Sequence, residues 1–300
     1  MKITNLSELY DLHFPEKSEN TLASYRKSWN NYKNFMKEKF NITTDEKAIE
    51  ETNWSSAQLF KNELIKKGLN PKTVNNQLSG LRSYFNFLIN SQVVQDNPFV
   101  KIEGASTKCV DYERPYLVQD EFETLLNTIM TKEKGRKQDC FELTSHRDLL
   151  AVGILLTCGL RISELLNIKV GDIKENGSLE VLGKGKKLRR VVIGSKNLQR
   201  LAEYLEIREQ YVMEDCDYLF ISKYGKRPSP QSFNKNLKKY LDRADLDTSV
   251  SAHGLRASSA TNYLREGVRP TQIAKLLGHS DVKTTLKHYA KEDDNFDFIQ

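Results

Sequence analysis

The chain has 300 residues, a hydrophobic fraction of 38% and a charged fraction of 29%, a composition typical of a soluble globular protein of about two domains and not of a disordered chain. No apolar run is long enough to span a bilayer, and the N-terminus lacks the basic and apolar segments of a signal peptide, so we expect a cytoplasmic protein without membrane contact. The net charge of +6 is only a mild indication of a polyanionic partner.

Residues 1–103 are predicted to form an all-helical domain. Three stretches carry apolar residues at steps of three and four, which is typical of amphipathic helices: Ser18–Lys39, Ser55–Lys67, and a helix that begins at Pro71 and runs to about Gln92. The next stretch, 104–115, contains small and polar residues without periodicity and is predicted to be a linker.

Residues 116–300 are predicted to form a second domain. Its first helices are expected at Val118–Lys132, at His146–Cys158 and at Ile162–Ile168. The segments SLEVLG and LRRVVIG are rich in β-branched residues and flank Lys184–Lys187, so they predict a hairpin. A third strand is expected at Asp217–Ser222.

After Pro230 the pattern is again helical, with breaks near Leu246–Ser251, at Gly267–Pro270 and at Gly278. The predicted fold class is therefore mainly α with a small antiparallel β-sheet, as an all-helical N-terminal domain followed by an α+β domain.

The four cysteines, Cys109, Cys140, Cys158 and Cys216, are scattered without a C-x-x-C pair. This spacing indicates neither a zinc site nor, in the cytoplasm, a disulfide framework. Local basic clusters are more informative: Gly183–Arg190 carries five positive charges and Lys223–Arg243 carries seven. Either cluster by itself is typical of a solvated face.

Tyr289 is a candidate nucleophile near the end of the chain. A helical tyrosine by itself is usually a packing residue, and a phenol with a pKa near 10 is a poor nucleophile unaided. To attack phosphorus it needs cations that hold the phosphate, a proton acceptor, and an acid for the leaving oxygen.

Arg161 lies in the apolar segment LLTCGLRISELLNI, where an unpartnered charge is costly. Glu164 at i+3 either simply pairs with Arg161 or orients its guanidinium toward phosphate oxygens.

Four further candidates share this ambiguity. His253 and Arg256, at i and i+3, present an imidazole and a guanidinium to one phosphate or form an ordinary surface pair. Lys184, between two glycines, is either an exposed turn lysine or a general acid. His279, beside Gly278, is either a helix cap or a phosphate ligand.

The order of these segments resembles the tyrosine recombinases of the phage integrase family over nearly the whole chain, in a Xer-like two-domain form. The matching segments are TCGLRISEL, GKGKK, HGLR, LGHS and HYA. The family's six catalytic positions match Arg161, Lys184, His253, Arg256, His279 and Tyr289. The resemblance implies a core-binding domain at 1–103 and a catalytic domain with a C-terminal tail at 116–300.

The resemblance implies site-specific DNA recombination. Tyr289 would form a 3′-phosphotyrosyl link; Arg161, Arg256 and His279 would hold the phosphate; Lys184 would protonate the leaving 5′-oxygen; and His253 would assist proton transfer. Glu164 would support Arg161, and no cofactor or metal would be needed. The expected partner is double-stranded DNA with inverted-repeat sites, contacted by Lys72, Thr73, Asn76, Arg82, Lys186, Lys187, Arg189, Lys235 and Lys238.

The resemblance also implies a tetramer on two DNA sites, formed by this chain alone or with a second recombinase. The tail, with Phe296, Phe298 and Ile299 among acidic residues, is expected to dock on a neighbouring protomer. We expect a Xer-like or simple mobile-element recombinase and not a large phage integrase, because residues 1–300 include no arm-binding domain in addition to the helical domain at 1–103.

Two other functions remain open from the sequence. The segment VRPTQIAKLLGHSDVKTTLKHYA also resembles the helix-turn-helix of a transcription regulator, although that interpretation leaves Arg161, Lys184 and HGLR unexplained. A topoisomerase IB-like enzyme would use the same chemistry as a monomer to relax supercoils.

Overall fold

The computed structural model of the protein describes residues 19–106, 115–133, 135, 137–183 and 188–278. The chain divides into two compact units, Met1–Tyr112 and Glu113–Gln300. The division falls inside the predicted linker 104–115; the predicted limits of the two domains stay predictions. In the described ranges no helix is both long and apolar enough to cross a membrane.

The described part of the first unit is helical, and the three predicted amphipathic helices are present. A short helix that the sequence did not predict lies between the first two of them. The helices are α1 Glu19–Phe40, α2 Asp45–Glu50, α3 Trp54–Lys66 and α4 Pro71–Asn90. Side chains at the N-caps of the last three, Thr44, Asn53 and Asn70, accept hydrogen bonds from the first turn and so satisfy otherwise unpaired N–H groups.

Aromatic side chains fill the core of the first unit. Tyr32 is completely buried, and its hydroxyl hydrogen-bonds to Thr52 at 3.1 Å and Ser56 at 3.0 Å, which offsets the cost of burying a polar group.

Helices α1 and α4 pack closely because Gly80 has no side chain: a Cβ there would lie 2.6 Å from Ser28 Oγ.

The second unit combines seven α-helices, a short 3-10 helix at Val170–Asp172 and one hairpin in its described ranges. The helices are α5 Gln119–Met130, α6 Gln138–Cys158, α7 Ile162–Leu165, α8 Ser195–Arg208, α9 Pro230–Arg243, α10 Ala252–Arg265 and α11 Pro270–Leu277. The strands β1 Ser178–Leu182 and β2 Leu188–Val192 pair antiparallel, from Ser178 opposite Val192 to Leu182 opposite Leu188. The predicted fold class, mainly α with a small antiparallel sheet, is confirmed.

Helix α6 forms the centre of the second core and contacts α5, α8 and α10. It is buried on most of its circumference, which explains why its apolar residues show no clear helical stripe in the sequence. It begins at Gln138, eight residues earlier than predicted. This first part of the helix was not predicted because it contains the polar residues Thr144 and Ser145. In the structure their hydroxyls donate to backbone carbonyls within the helix instead of facing solvent.

The predicted third strand at Asp217–Ser222 is wrong. Within the described residues this segment makes only an isolated bridge, between Lys169 and Tyr218. Its residues Leu219–Ile221 are buried, but side chains take the place of a neighbouring strand. Arg208 donates to the carbonyls of residues 216, 218 and 219, and Arg147 Nη1 donates to Ile221 O at 3.0 Å. The apolar run therefore reflects burial and not membership of a sheet.

Candidate active site

The chain turns sharply after α6 and presents Arg161. Gly159 ends α6 in the left-handed conformation at φ 57° and ψ 34°, which glycine adopts without steric cost. The turn also needs the absence of a side chain, since a Cβ at Gly159 would lie 2.4 Å from Leu277 Cδ2. Arg161 follows as the N-cap of α7, with its side chain one-third exposed.

Glu164 binds Arg161 through both its backbone and its side chain. The Arg161 amide donates to Glu164 Oε2 at 2.8 Å, and Arg161 Nη1 donates to Oε1 at 2.7 Å. The first of these bonds is the backward contact of a capping box, so it fixes the start of α7. The second fixes the direction of the guanidinium. The pairing of Glu164 with Arg161 is therefore present, and its role in orienting the guanidinium toward a phosphate stays a prediction.

Arg189, on β2, binds the other side of the same carboxylate. Its Nη2 lies 2.7 Å from Glu164 Oε2 and its Nη1 lies 3.1 Å from Oε1, a forked arrangement. The side chains of Glu164 and Arg189 are only 5% and 10% exposed, so water screens this ion pair little.

The two arginines determine the charge of Glu164. Burial alone would raise its pKa, but hydrogen bonds from Arg189 and Arg161 outweigh burial, and the pKa lies below the ordinary carboxyl value. Glu164 is thus held as a carboxylate at neutral pH, acting as an acceptor for both guanidiniums.

Arg256 is a buried arginine on α10, with only 2% of its surface exposed. Its Nη1 donates to the carbonyl of Gly159 and its Nη2 donates to the carbonyl of Leu277. It therefore connects the turn before Arg161 with the last residue of α11. A guanidinium has five N–H donors in one plane and can serve several acceptors at once.

His253 lies on the first turn of α10 and is exposed. The N-cap Ser251 accepts from Gly254 N, which begins the helix. Gly254 allows the first turn to approach another segment, since a Cβ there would lie 2.8 Å from Pro115 O. His253 therefore precedes the buried Arg256 by three residues on the same helix.

The C-terminus of α11 is held by two arginines. Arg189 Nε donates to Leu276 O at 3.0 Å, and Arg256 donates to the next carbonyl, that of Leu277. The last carbonyls of a helix have no intrahelical partner and carry partial negative charge, so two guanidiniums there are favourable. Gly278 then ends α11 in the left-handed conformation at φ 65°.

The arrangement brings together Arg161, Glu164 and Arg256, three of the predicted site residues. A cluster of guanidiniums at a partly open turn is able to hold an anion such as a phosphate. Five other predicted residues lie outside the described ranges: Lys184, Lys186, Lys187, His279 and Tyr289. In the sequence, the first three join β1 to β2 and the last two follow Gly278.

The predicted DNA-contacting residues of the first unit divide into two groups. Lys72, Thr73 and Asn76 are exposed on α4. Arg82 is half-buried and donates from Nε to Phe99 O at 2.9 Å and from Nη2 to Ile102 O. This arginine secures the segment after α4 to its helix, a structural task that the sequence did not indicate; a DNA contact by Arg82 stays a prediction.

In the second unit, Lys235 and Lys238 are exposed on α9, whereas Arg189 is directed inward to Glu164. Sequence periodicity contained a signal for Arg189. Arg189 lies on the same face of β2 as the buried Val191, in a series continued by the buried Ile193 just after the strand, and it pairs opposite the buried Val181 of β1. A strand places every second residue on the same face, so an arginine in this series had to meet a buried partner.

Two family models match the chain. Residues 115–295 match the phage integrase family, and residues 10–92 match the N-terminal SAM-like domain of phage integrases. The first of these covers more than half of the sequence.

Individual proteins resemble the chain as well. It is 36% identical over 222 residues to the tyrosine recombinase XerC of Caldanaerobacter subterraneus subsp. tengcongensis, which covers 73% of this chain and 59% of that protein. It is 31% identical over 274 residues to the tyrosine recombinase XerD of Oceanobacillus iheyensis, which covers 89% and 86%. Among solved structures, the post-cleavage complex of the XerH site-specific recombinase bound to palindromic difH superposes with a TM-score of 0.70 at 21% identity, covering 91% of this chain and 77% of that one.

Proposed function

The chain belongs to the phage integrase family and is a tyrosine site-specific recombinase, and from that premise we propose that it cuts and rejoins DNA through a covalent link at Tyr289. The observation that carries the proposal is the guanidinium cluster. Arg256 donates to the carbonyl of Gly159, two residues before Arg161, while Arg161 and Arg189 share the carboxylate of Glu164. Arg189 and Arg256 also bind the last carbonyls of α11, which leads in sequence to His279 and Tyr289.

In the first step, the Tyr289 hydroxyl oxygen attacks the phosphorus of a phosphodiester. The bond from phosphorus to the 5′-oxygen breaks and a 3′-phosphotyrosyl link forms. His253 accepts the phenolic proton, and Lys184 gives a proton to the departing 5′-oxygen. In the second step, the 5′-hydroxyl of a partner strand attacks the phosphotyrosine and releases Tyr289, so that one phosphodiester is exchanged for another without net hydrolysis.

The arginines act on the phosphate in both steps. Negative charge on the non-bridging oxygens grows in the pentacoordinate transition state, and fixed cations stabilise that charge. Arg161 supplies a partly exposed guanidinium aimed by Glu164. Arg256 and His279 complete the phosphate site in the proposal. Because bond energy is conserved in the phosphotyrosine, neither ATP nor a metal ion is required.

The partner is double-stranded DNA carrying inverted repeats. The proposal is supported by the XerH complex with its difH substrate and by the exposed polar faces of two helices, Lys72, Thr73 and Asn76 on α4 and Lys235 and Lys238 on α9. Most such contacts go to phosphates and position the protein without reading sequence.

Recombination requires four active sites on two duplexes, so the proposed active form is a tetramer, of this chain alone or with a second recombinase. In a cyclic assembly each protomer contacts the next through a head-to-tail interface. The tail residues Phe296, Phe298 and Ile299 are proposed to dock on the neighbouring protomer.

One set of assays separates the proposed recombinase from the alternatives. Duplexes that the protein binds are selected from a randomised pool, and the selected site is built with a nick beside the scissile phosphate, so that the short cleaved fragment diffuses away and any covalent adduct accumulates. Recombination predicts an adduct together with strand exchange between two sites. An adduct with relaxation of supercoils but no strand exchange would identify a topoisomerase IB-like enzyme, and binding without any adduct would identify a regulator.

A further inference from the structure

Arg189 contacts three separate segments of the second unit. It lies on β2, one strand of the hairpin whose connecting residues include Lys184. Its Nη atoms bind Glu164 at 2.7 and 3.1 Å, and its Nε donates to Leu276 O at 3.0 Å. The hairpin, the Arg161 turn and the end of α11 are therefore joined through one guanidinium.

The path of this side chain is closely confined. A Cβ at Gly278 would lie 3.0 Å from Arg189 Cδ and 3.1 Å from its Nη1. Gly278 thus serves two purposes, the left-handed end of α11 and the space for Arg189. Because the three contacts of Arg189 use different nitrogen atoms in fixed directions, a lysine ammonium on a flexible stem is unable to reproduce them.

We propose that Arg189 is a positioning residue for the DNA transesterification: through Glu164 it fixes the direction of Arg161 and the charge balance around it, and through Leu276 O it fixes the C-terminus of α11. This inference rests on the proposed function. It assigns Arg189 to the interior of the active site instead of to the DNA surface that the sequence suggested.

Arg161 and Arg189 both bind the carboxylate of Glu164, and the net charge of these three residues affects how strongly they attract a phosphate. With Arg161 alone, the carboxylate and the guanidinium form a neutral pair that offers little net attraction to a phosphate. With Arg189 added, two positive charges oppose one negative charge, and the cluster keeps a net positive charge. Glu164 is almost fully buried, so this balance is screened little by water, and it is present before the phosphate arrives.

The test compares four variants with the unsubstituted protein on the nicked duplex built from the selected site. Arg189→Gln removes the positive charge and the fork, whereas Arg189→Lys keeps the charge and removes the fork. Arg190→Gln and Arg190→Lys are the matched controls, because Arg190 is the next residue on β2 and is exposed. Melting temperature and the Kd for the intact duplex are measured for each protein beside the rate of adduct formation.

We expect Arg189→Gln to slow adduct formation by about 30- to 100-fold and Arg189→Lys by about tenfold, because small displacements of positioned groups have effects of this size. The Kd for intact duplex should change by less than about threefold in either variant, since contacts to many phosphates dominate binding. Both Arg190 variants should cleave at the rate of the unsubstituted protein.

A second substrate separates positioning from a merely structural defect. Replacing one non-bridging oxygen of the scissile phosphate by a methyl group removes its negative charge, so the reaction depends less on the positive charge of the cluster. The defect of Arg189→Gln should then shrink to less than about tenfold on the methylphosphonate duplex. A protein that is only less folded would be slowed equally on both substrates.

The outcomes are distinct. If both Arg189 variants cleave the phosphate duplex at the unsubstituted rate, or are slowed equally on both duplexes, the inference is wrong while the proposed function stands. If Arg189→Gln fails to fold, Arg189→Lys decides by the same two comparisons. If the unsubstituted protein forms no adduct on any selected site, the proposed function fails and this inference fails with it.

Discussion

Arg256 donates a hydrogen bond from Nη1 to the carbonyl oxygen of Gly159, so a helix near the end of the chain is fixed to the turn that presents Arg161. The two residues are 97 positions apart in the sequence. Their contact, together with that of Arg256 to Leu277 O, connects the turn before Arg161 with the C-terminus of α11.

Replacing Arg161 by lysine should impair chemistry more than binding. Lysine keeps the positive charge but loses the planar fork of donors, and the side-chain contact by which Glu164 directs residue 161 is lost, although Glu164 keeps its fork with Arg189. We expect the rate of adduct formation on a nicked duplex to fall by ~100- to 1000-fold, because the loss of one hydrogen-bond donor to the transition state typically slows an enzyme by this factor. The Kd for intact duplex, measured by fluorescence anisotropy, should stay within about threefold. An unchanged cleavage rate would remove Arg161 from the phosphate site.

Replacing Arg256 by lysine should lower stability as well as activity. The lysine is able to keep at most one of the contacts to Gly159 and Leu277, and a lost hydrogen bond from a charged donor in a buried site costs about 1.5–3 kcal/mol. Urea unfolding should show this loss in the free energy of unfolding. Arg269→Lys, at an exposed position just before α11, is the control and should unfold as the unsubstituted protein does.

Glu164→Gln should change how stability depends on pH. Hydrogen bonds from Arg189 and Arg161 outweigh burial and lower the pKa of Glu164. Its stabilisation is therefore complete above the ordinary carboxyl pKa of about 4.3 and is lost as pH falls through the lower folded value. The variant should be less stable than the unsubstituted protein at pH 7, and the two should converge in acid.

The measurement for Glu164→Gln is urea unfolding across the range from neutral to acidic pH. Glu123→Gln, on the exposed side of α5, controls for the loss of one negative charge. A difference in free energy of unfolding that stays constant down to the most acidic pH would contradict the ion-pair role of Glu164.

Gly278→Ala should disturb the end of α11 in a way that Gly267→Ala does not. Both glycines have positive φ, 65° and 80°, so alanine is strained at either position by about 1–2 kcal/mol. Only at Gly278 does the new Cβ meet Arg189, at 3.0 Å, whereas at Gly267 nothing lies within 4 Å. Both variants should therefore lose stability, but only Gly278→Ala should slow adduct formation strongly. Equal cleavage rates in the two variants would contradict this view.

Lys72→Gln should weaken DNA binding evenly across sequences. A lysine that contacts a phosphate releases one counterion on binding, so its loss should reduce the slope of log Kd against log salt by about one. Lys66→Gln, which removes another exposed lysine, from α3, should leave the slope unchanged. A loss of affinity confined to one DNA sequence would show instead that Lys72 reads bases.

Helix positions followed from the sequence where one face of the helix is exposed. The apolar spacing predicted α1, α3 and α4, and Gly159 and Gly278 correctly predicted the ends of α6 and α11. The beginning of α6 was missed, because a helix buried all round shows no stripe. The strand predicted at Asp217–Ser222 was wrong for a different reason. Its apolar residues are buried, but the segment does not pair along a neighbouring strand, and Arg208 and Arg147 bind its backbone carbonyls instead.

For the candidate site, the sequence pointed to Arg161, Glu164 and Arg256, and the structure places them around one turn. Sequence spacing alone did not show that Arg256 is buried and bound to backbone carbonyls, because that depends on contacts between segments far apart in the chain. The alternation of buried and exposed residues on β2 indicated that Arg189 points inward. The sequence analysis nevertheless predicted a DNA contact, because Arg189 belongs to the basic cluster Gly183–Arg190. The roles of Lys184, His279 and Tyr289 stay predictions.

The central claim is the covalent link at Tyr289, and mass spectrometry of the trapped adduct tests it most directly. After nuclease and trypsin digestion, the claim predicts that the peptide His288–Lys291 carries the mass of a nucleotide joined through its 3′-phosphate, and that Tyr289→Phe abolishes the adduct while DNA binding continues. A nucleotide on any other peptide, or an adduct that persists in Tyr289→Phe, would contradict it.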